Sequence, residues 1–193
     1  MKAGVFLDRD GVLCENRADY VKDWTEFRWI PGAADALRTF ARLELPVVLV
    51  TNQSAINRGL TTSEAVRDLH RRMGQAISQA GGRLDGAYVC PHRPEEGCAC
   101  RKPGLLLFRQ AAAELDLEFS HSFLIGDGWS DLEAGWGLGV QVILVRTGLG
   151  VETAKRLQSS TGRVHVVENV LDAARWIEST RVSRGSTAPL PAP

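Results

Sequence analysis

Asp8 and Asp10 stand two positions apart, directly after the apolar run Val5-Phe6-Leu7. Such a run predicts a buried strand, and residues i and i+2 of an extended chain share a face. Both carboxylates would then meet at the strand's carboxyl end, the edge where open α/β sheets bind ligands. Like charges held this close repel unless a cation lies between them or one carboxyl keeps its proton. Either outcome suits phosphate chemistry. A metal-bound carboxylate can attack phosphorus, and a protonated one can supply a proton to a leaving oxygen. A second reactive set is Cys90, His92, Cys98 and Cys100. Three thiolates and an imidazole at that spacing match a closed tetrahedral Zn²⁺ site with no vacant position for substrate, so a zinc there would be structural. The segment runs into Arg101-Lys102-Pro103, so the metal would pin the loop that carries those two cations. Cys14 stands apart and reads as a small packed residue.

The elements that must hold these residues are legible as alternating patterns. Strand-like apolar runs recur at 5–7, 47–50, 87–89, 122–125, 142–145 and 164–167. Helical spacing predicts helices over 33–43, with Ala34, Leu37, Phe40 and Ala41 on one face, and over 63–80, with Val66, Leu69, Met73 and Ile77 inward. Thr62 or Ser63 would cap the second of these. Shorter helices are expected at 105–115, 131–137 and 170–178. Alternation of strand and helix argues for a parallel α/β sheet covered on both faces. No long insertion separates the motif-bearing segments, so no cap domain is expected. Residues 1–181 read as one domain, and 182–193, with three prolines and nothing to bury, as a disordered tail.

Composition narrows the partners. With 23 Lys plus Arg against 23 Asp plus Glu, the chain has no basic excess to suit a nucleic-acid backbone. No apolar run approaches the roughly 20 residues that span a bilayer, and the start of the chain lacks a signal-peptide pattern. A cytoplasmic, monomeric enzyme acting on a small molecule is expected, with neither nucleic acid nor membrane as partner. Reduced, metal-ready thiols agree with that compartment.

Four segments in order resemble the haloacid dehalogenase superfamily of phosphohydrolases: Asp8-Arg9-Asp10-Gly11-Val12, Thr51-Asn52, Lys102, and Gly126-Asp127 with Asp131. The resemblance covers about residues 4–150 and implies a Rossmann-like fold. By it, Asp8 is the nucleophile, Asp10 the acid and then the base, and Thr51 and Lys102 bind the transferring phosphoryl group. Asp8, Asp127 and the backbone carbonyl of Asp10 would hold Mg²⁺. For Asp131, direct ligation, contact through water and capping of the following helix stay open. The zinc segment narrows the resemblance to the branch of heptose bisphosphate and histidinol-phosphate phosphatases. Thr51-Asn52-Gln53-Ser54-Ala55-Ile56-Asn57-Arg58-Gly59 favours the heptose enzymes, as does Asp19-Tyr20-Val21 followed by Ile30-Pro31-Gly32. Ala55 and Cys14 depart from the usual Gly and Asn. The resemblance implies substrate contacts from Asn16, Arg17, Asp19, Tyr20, Thr51, Asn52, Gln53, Ser54, Arg101 and Lys102, with Arg101 on a second phosphate or else capping a carbonyl of the zinc loop. No role is assigned to Arg58. The expected activity is hydrolysis of a heptose 1,7-bisphosphate to its 1-phosphate, with histidinol phosphate as the alternative substrate and a non-catalytic zinc-stabilised module as the alternative class. Trp24, Trp29, Trp129 and Trp136 read as packing residues, with Trp129 alone also a candidate for the site's rim.

Overall fold

Every residue of the first strand, β1 (Val5–Leu7), is buried, as are nearly all those of its neighbours β2 (Val47–Asn52) and β4 (Phe123–Gly126). Strands covered on both faces carry apolar residues without interruption, and successive side chains enter opposite layers. Val5, Leu7, Val47, Leu49, Phe123 and Ile125 point into one core, while Phe6, Val48, Val50 and Leu124 point into the other. The computed structural model describes residues 2–157 and 164–185. Its six strands form one parallel sheet in the order β3-β2-β1-β4-β5-β6, completed by β3 (Gly86–Cys90), β5 (Gln141–Val145) and β6 (Val164–Val167).

The first core is covered by α1 (Ala33–Arg42), α2 (Ser63–Gln79) and α6 (Val170–Gly185), and the second by α3 (Leu106–Leu115) and α4 (Trp129–Leu138). This is the Rossmann-like arrangement expected, with no inserted cap domain among the described residues. The Thr62 hydroxyl accepts the Ala65 N–H at 3.1 Å and caps α2, which buries Val66, Leu69, Met73 and Ile77 as its spacing requires. Stacked and edge-on pairs hold Trp24 and Trp29 against Phe27.

Three expectations are corrected. In α1 the inward face is Ala33, Ala36, Leu37 and Phe40, while Ala34 is exposed and Ala41 only half-buried. Packing against α6 rotates the helix slightly from the face that the larger side chains suggested. A helix α5 (Gly150–Leu157) follows β5 where none was expected. Gly150 and Thr153 are its buried residues, and Ala154 and Leu157 pack against the second core, a face of only two turns. Finally, α6 runs on through 182–185, into the segment expected to be tail. The rest of that segment, 186–193, lies outside the described residues.

The order of strands reverses between β1 and β4, which start adjacent crossovers in opposite directions. That switch point opens a crevice at the carboxyl edge, and Asp8 and Asp127 follow the two strands that border it. Replacing Phe40, which is fully buried, by Ala should cost about 3–5 kcal/mol of stability. Ala34→Ser should change it by less than about 0.5 kcal/mol. Urea unfolding of both variants checks the assigned face of α1.

Candidate active site

Register fixes the site before any side chain is considered. Leu7 pairs with Ile125 and Leu49, so Asp8 and Asp127 leave neighbouring strands at nearly the same level. The Asp8 N–H continues the ladder to the Ile125 carbonyl at 3.1 Å. Thr51 and Asn52 end β2, and Asn52 lies opposite Cys90 at the end of β3. One sheet edge therefore carries every segment that the sequence singled out.

Three carboxylates, Asp8, Asp127 and Asp131, bring oxygens within 4.8 Å of one another. Among the described residues, their one cationic companion at close range is Lys102, only 3% exposed, whose Nζ lies 3.0 Å from Asp8 Oδ1 and 2.7 Å from Asp131 Oδ1. Burial would lower the Lys102 ammonium, but Asp131 and Asp8 outweigh it and hold the group above its ordinary range. Burial pushes the Asp8 carboxyl up to about 6, against the pull of Lys102 and with repulsion from Asp131 and Asp10. Asp127 rises to about 8, first through burial and then through repulsion by Asp8 and Asp131. Two buried acids and the half-buried Asp8 facing one ammonium leave an excess of negative charge, and oxygen donors so spaced suit a hard divalent cation. Asp10's carboxylate is not part of this trio; Arg9, Gln53 and Cys14 hold it.

Glycines bring the backbone close to the trio. A Cβ on Gly11 or on Gly148, both at positive φ, would collide with the Asp127 carboxylate. The Leu149 N–H donates to Asp127 Oδ2 at 2.7 Å, and the Thr147 hydroxyl donates to the Gly11 carbonyl at 2.6 Å. The loop after β5 thus shapes the acid pocket, a contribution that only Gly148 could have signalled in the sequence. Asp131 does two jobs at once. Its Oδ2 accepts the Gly128 N–H at 3.1 Å, capping α4, while Oδ1 faces Lys102.

The expected substrate contacts sort into groups. Thr51, Gln53 and Ser54 are buried, and Asn52 is half-buried. The Asn52 side chain accepts the Lys102 N–H at 3.0 Å and donates to the Lys102 carbonyl at 3.2 Å, so it holds the loop that delivers the lysine. Asn16, Arg17 and Asp19 are exposed, with Arg17 and Lys22 both paired to Asp19. Tyr20 sits at φ 68°, a region rarely occupied by bulky residues. The Arg101 guanidinium donates to the His92 carbonyl at 3.1 Å, the carbonyl cap that its position allowed. Arg58 is exposed. Trp129 packs edge-on against Trp136, with the Arg156 guanidinium 4.0 Å from its ring centre.

Beside the acids, Cys90, His92, Cys98 and Cys100 converge. Their sulfurs and the His92 Nδ1 are separated by 3.2–3.6 Å along the cluster. A tetrahedral zinc, at about 2.3 Å from sulfur and about 2.0 Å from nitrogen, sets edges of about 3.5–3.8 Å. The donors therefore fit that ion to within a few tenths of an ångström. Burial, then the neighbouring sulfurs, pushes the Cys90 thiol up, as expected of thiols crowded without a cation. Burial also opposes ionisation of Cys98, but the Arg101 N–H and the other sulfurs outweigh it and bring that thiol to about 7.

Sequence reasoning passed over Arg9 and His70. Arg9 is completely buried, and its Nη1 lies 3.3 Å from His70 Nε2.

A parallel sheet with paired acids at its switch point, a buried lysine and a following acid on α4 is the architecture of HAD-like hydrolases. A family model described as HAD-hydrolase-like matches residues 99–173. D-glycero-beta-D-manno-heptose-1,7-bisphosphate 7-phosphatase of Bordetella bronchiseptica is 37% identical over 77% of this chain and 83% of the relative. The protein of that name from Neisseria meningitidis serogroup B is 33% identical over 90% of this chain and 93% of its own. Among solved structures, D,D-heptose 1,7-bisphosphate phosphatase from B. bronchiseptica, complexed with magnesium and phosphate, superposes with a TM-score of 0.87. It is 34% identical and is matched over 93% of this chain and 99% of its own. The chain belongs to this family of heptose bisphosphate phosphatases.

Burial, and then the Arg9 charge, pull His70 from its ordinary 6.5 to about 3. The folded protein thus keeps His70 neutral while the unfolded chain protonates it, so its contribution to stability is present above pH 6.5 and is lost as pH falls from there toward 3. The stability difference between the protein and His70→Gln, measured by urea unfolding, should shrink by up to about 1.4 kcal/mol per pH unit within that window. A difference independent of pH would show that His70 titrates normally.

Proposed function

We infer that this chain is a phosphatase that hydrolyses D-glycero-β-D-manno-heptose 1,7-bisphosphate to the 1-phosphate through an aspartyl-phosphate on Asp8. The observation that carries this reading is the Asp8 carboxylate, set beside Lys102, Asp127 and Asp131 in a chain whose relatives bear that enzyme's name. Asp8, Asp127 and the Asp10 backbone carbonyl would hold Mg²⁺. A bound magnesium would neutralise the crowded carboxylates and the phosphoryl oxygens beside them.

The chain's own residues supply the rest. Asp8 attacks phosphorus as the bond to the sugar oxygen breaks, and Asp10 gives that oxygen its proton. Asp10 then takes a proton from water as the water attacks the aspartyl-phosphate, which releases inorganic phosphate and restores Asp8. Lys102 pairs as an ammonium with Asp8 and Asp131, and with three N–H donors it could also serve a phosphoryl oxygen. Thr51 Oγ1 accepts from Gln53 Nε2 at 2.8 Å, so its own O–H is available to the same group. Arg101, with one Nη on the His92 carbonyl, keeps further donors for the second phosphate, a task suited to a planar guanidinium. Asn16, Arg17, Asp19 and Tyr20 would face the sugar from the loop after β1. Cys90, His92, Cys98 and Cys100 would hold a structural zinc. The enzyme would work as a cytoplasmic, single-domain monomer.

With Mg²⁺ present, the purified protein should release phosphate from the heptose bisphosphate in preference to fructose 1,6-bisphosphate and histidinol phosphate. Asp8→Asn should remain folded and lose more than about 1,000-fold in kcat. Hydrolysis of histidinol phosphate alone would overturn the substrate, and an active Asp8→Asn the nucleophile.

Metal analysis should find about one zinc per chain, as a single four-ligand site implies. Removing it with a chelator, or replacing Cys100 by Ser, should lower Tm and reduce kcat together, because Lys102 is carried by that loop. A chain that retains full stability and carries no zinc would remove the structural metal from this account.

A further inference from the structure

Arg9 heads the fully buried side chains by volume, although it is charged. A guanidinium out of reach of water must find partners for its N–H groups within the protein. Nε and Nη2 reach Asp10 Oδ1 at 3.2 and 3.0 Å, and Nη2 also lies 3.0 Å from Oδ2. Nη2 further faces Gln53 Oε1 at 2.9 Å and the Val21 carbonyl at 3.3 Å, and Nη1 faces His70 Nε2 at 3.3 Å. Gln53 closes the ring, because its Nε2 donates to Asp10 Oδ2 at 2.7 Å. Both ends of the Gln53 amide are engaged inside the protein, by Arg9, Asp10 and Thr51, and His70 Nε2 faces Arg9. The turn after β1 and the residue following β2 thus meet at one carboxylate, and the middle of α2 backs the arginine that holds it.

We propose that Arg9, held by Gln53 and His70, is a positioning residue that fixes the orientation of the Asp10 carboxyl toward the leaving oxygen. The proposal rests on the acid/base reading of Asp10. Adjacent in sequence to the acid it serves, Arg9 folds back on it and acts from behind, and Gln53 belongs to this support rather than to the substrate surface. A lysine would keep the charge but not the planar set of donors that spans Asp10, Gln53 and His70 together.

Misplacing a general acid matters most where the leaving oxygen needs its proton. The test compares the sugar bisphosphate with aryl monophosphates of increasingly acidic leaving group. Variants are Arg9→Lys, which keeps the charge, and Gln53→Met, which keeps the volume and removes no charge should Arg9→Lys fail to fold. Both should lose about 10- to 100-fold in kcat on the sugar substrate, with KM changed by less than about threefold and activity on the most acidic aryl leaving group nearly retained. Asp10→Asn should show the same selectivity more strongly. An equal loss on every substrate, or no loss, would reduce Arg9 and Gln53 to packing and overturn the proposal alone. If Asp10→Asn itself lacked the selectivity, the acid/base reading would fall, and this inference with it.

Discussion

Crowding of like charge at one edge of the sheet is the constraint around which this molecule is arranged. Asp8, Asp127 and Asp131 come within 4.8 Å of one another in a setting that raises the first two well above ordinary carboxylates. Such a cluster costs stability wherever it is buried and is tolerated when a cation completes it. Lys102 supplies one charge from within the chain. The remaining excess makes the pocket receptive to a divalent ion, and the geometry around it is correspondingly rigid. Glycines at 11 and 148 let the backbone press against Asp127, and the Leu149 N–H fixes one of its oxygens.

Placing a lysine against those acids requires control of an otherwise irregular segment. Lys102 lies in the long connection between β3 and α3, and two devices hold it. Asn52 pairs with both the N–H and the carbonyl of Lys102, as a strand neighbour would, and so extends the order of β2 across a gap that no strand fills. Asn57 then donates to Glu96 at 3.0 Å, tying the loop after β2 to the zinc loop, and the Thr61 hydroxyl donates to the Lys22 carbonyl at 2.8 Å, tying it to the loop after β1. Three loops brace one another around the crevice. That bracing gives a site without a cap domain defined walls.

The sheet and the candidate residues at its edge were readable in the sequence for a common reason: each lies in a contiguous pattern. Apolar runs followed by Asp8, Thr51 and Asp127 announce strand ends, and Cys90 to Cys100 announces a ligand set. What escaped depended on partners distant in sequence. Arg9 looks like any surface arginine until Gln53 and His70 enclose it, and His70 looks like one more polar position on an amphipathic helix. Asn52 and Gln53 carry side chains that could serve a substrate, yet both have contacts inside the protein that no local pattern encodes. Ala34 and Ala36 are the same residue, so hydrophobicity alone cannot choose a helix face between them, and α6 decides by packing. Helix α5 is only eight residues long, too short for its apolar face, Ala154 and Leu157, to stand out.

The loop of Cys90, His92, Cys98 and Cys100 is a place where a metal ligand set would have most to contribute. Between His92 and Cys98 the chain offers Arg93, Pro94, Glu95, Glu96 and Gly97, of which residues 94–97 are exposed. A segment with so little to bury cannot be ordered by the hydrophobic effect, and its short 3₁₀ turn, Pro94–Glu96, is too brief to stabilise itself. Four soft or borderline donors around one ion can do what packing cannot, because metal binding contributes directly to local folding. Cys90 anchors the cluster at the end of β3, so order would pass from the sheet through the ion to Cys100 and, two residues later, to Lys102. On this argument two bound metals would act in series: a zinc would fix the lysine, and the lysine the acids that a magnesium would complete.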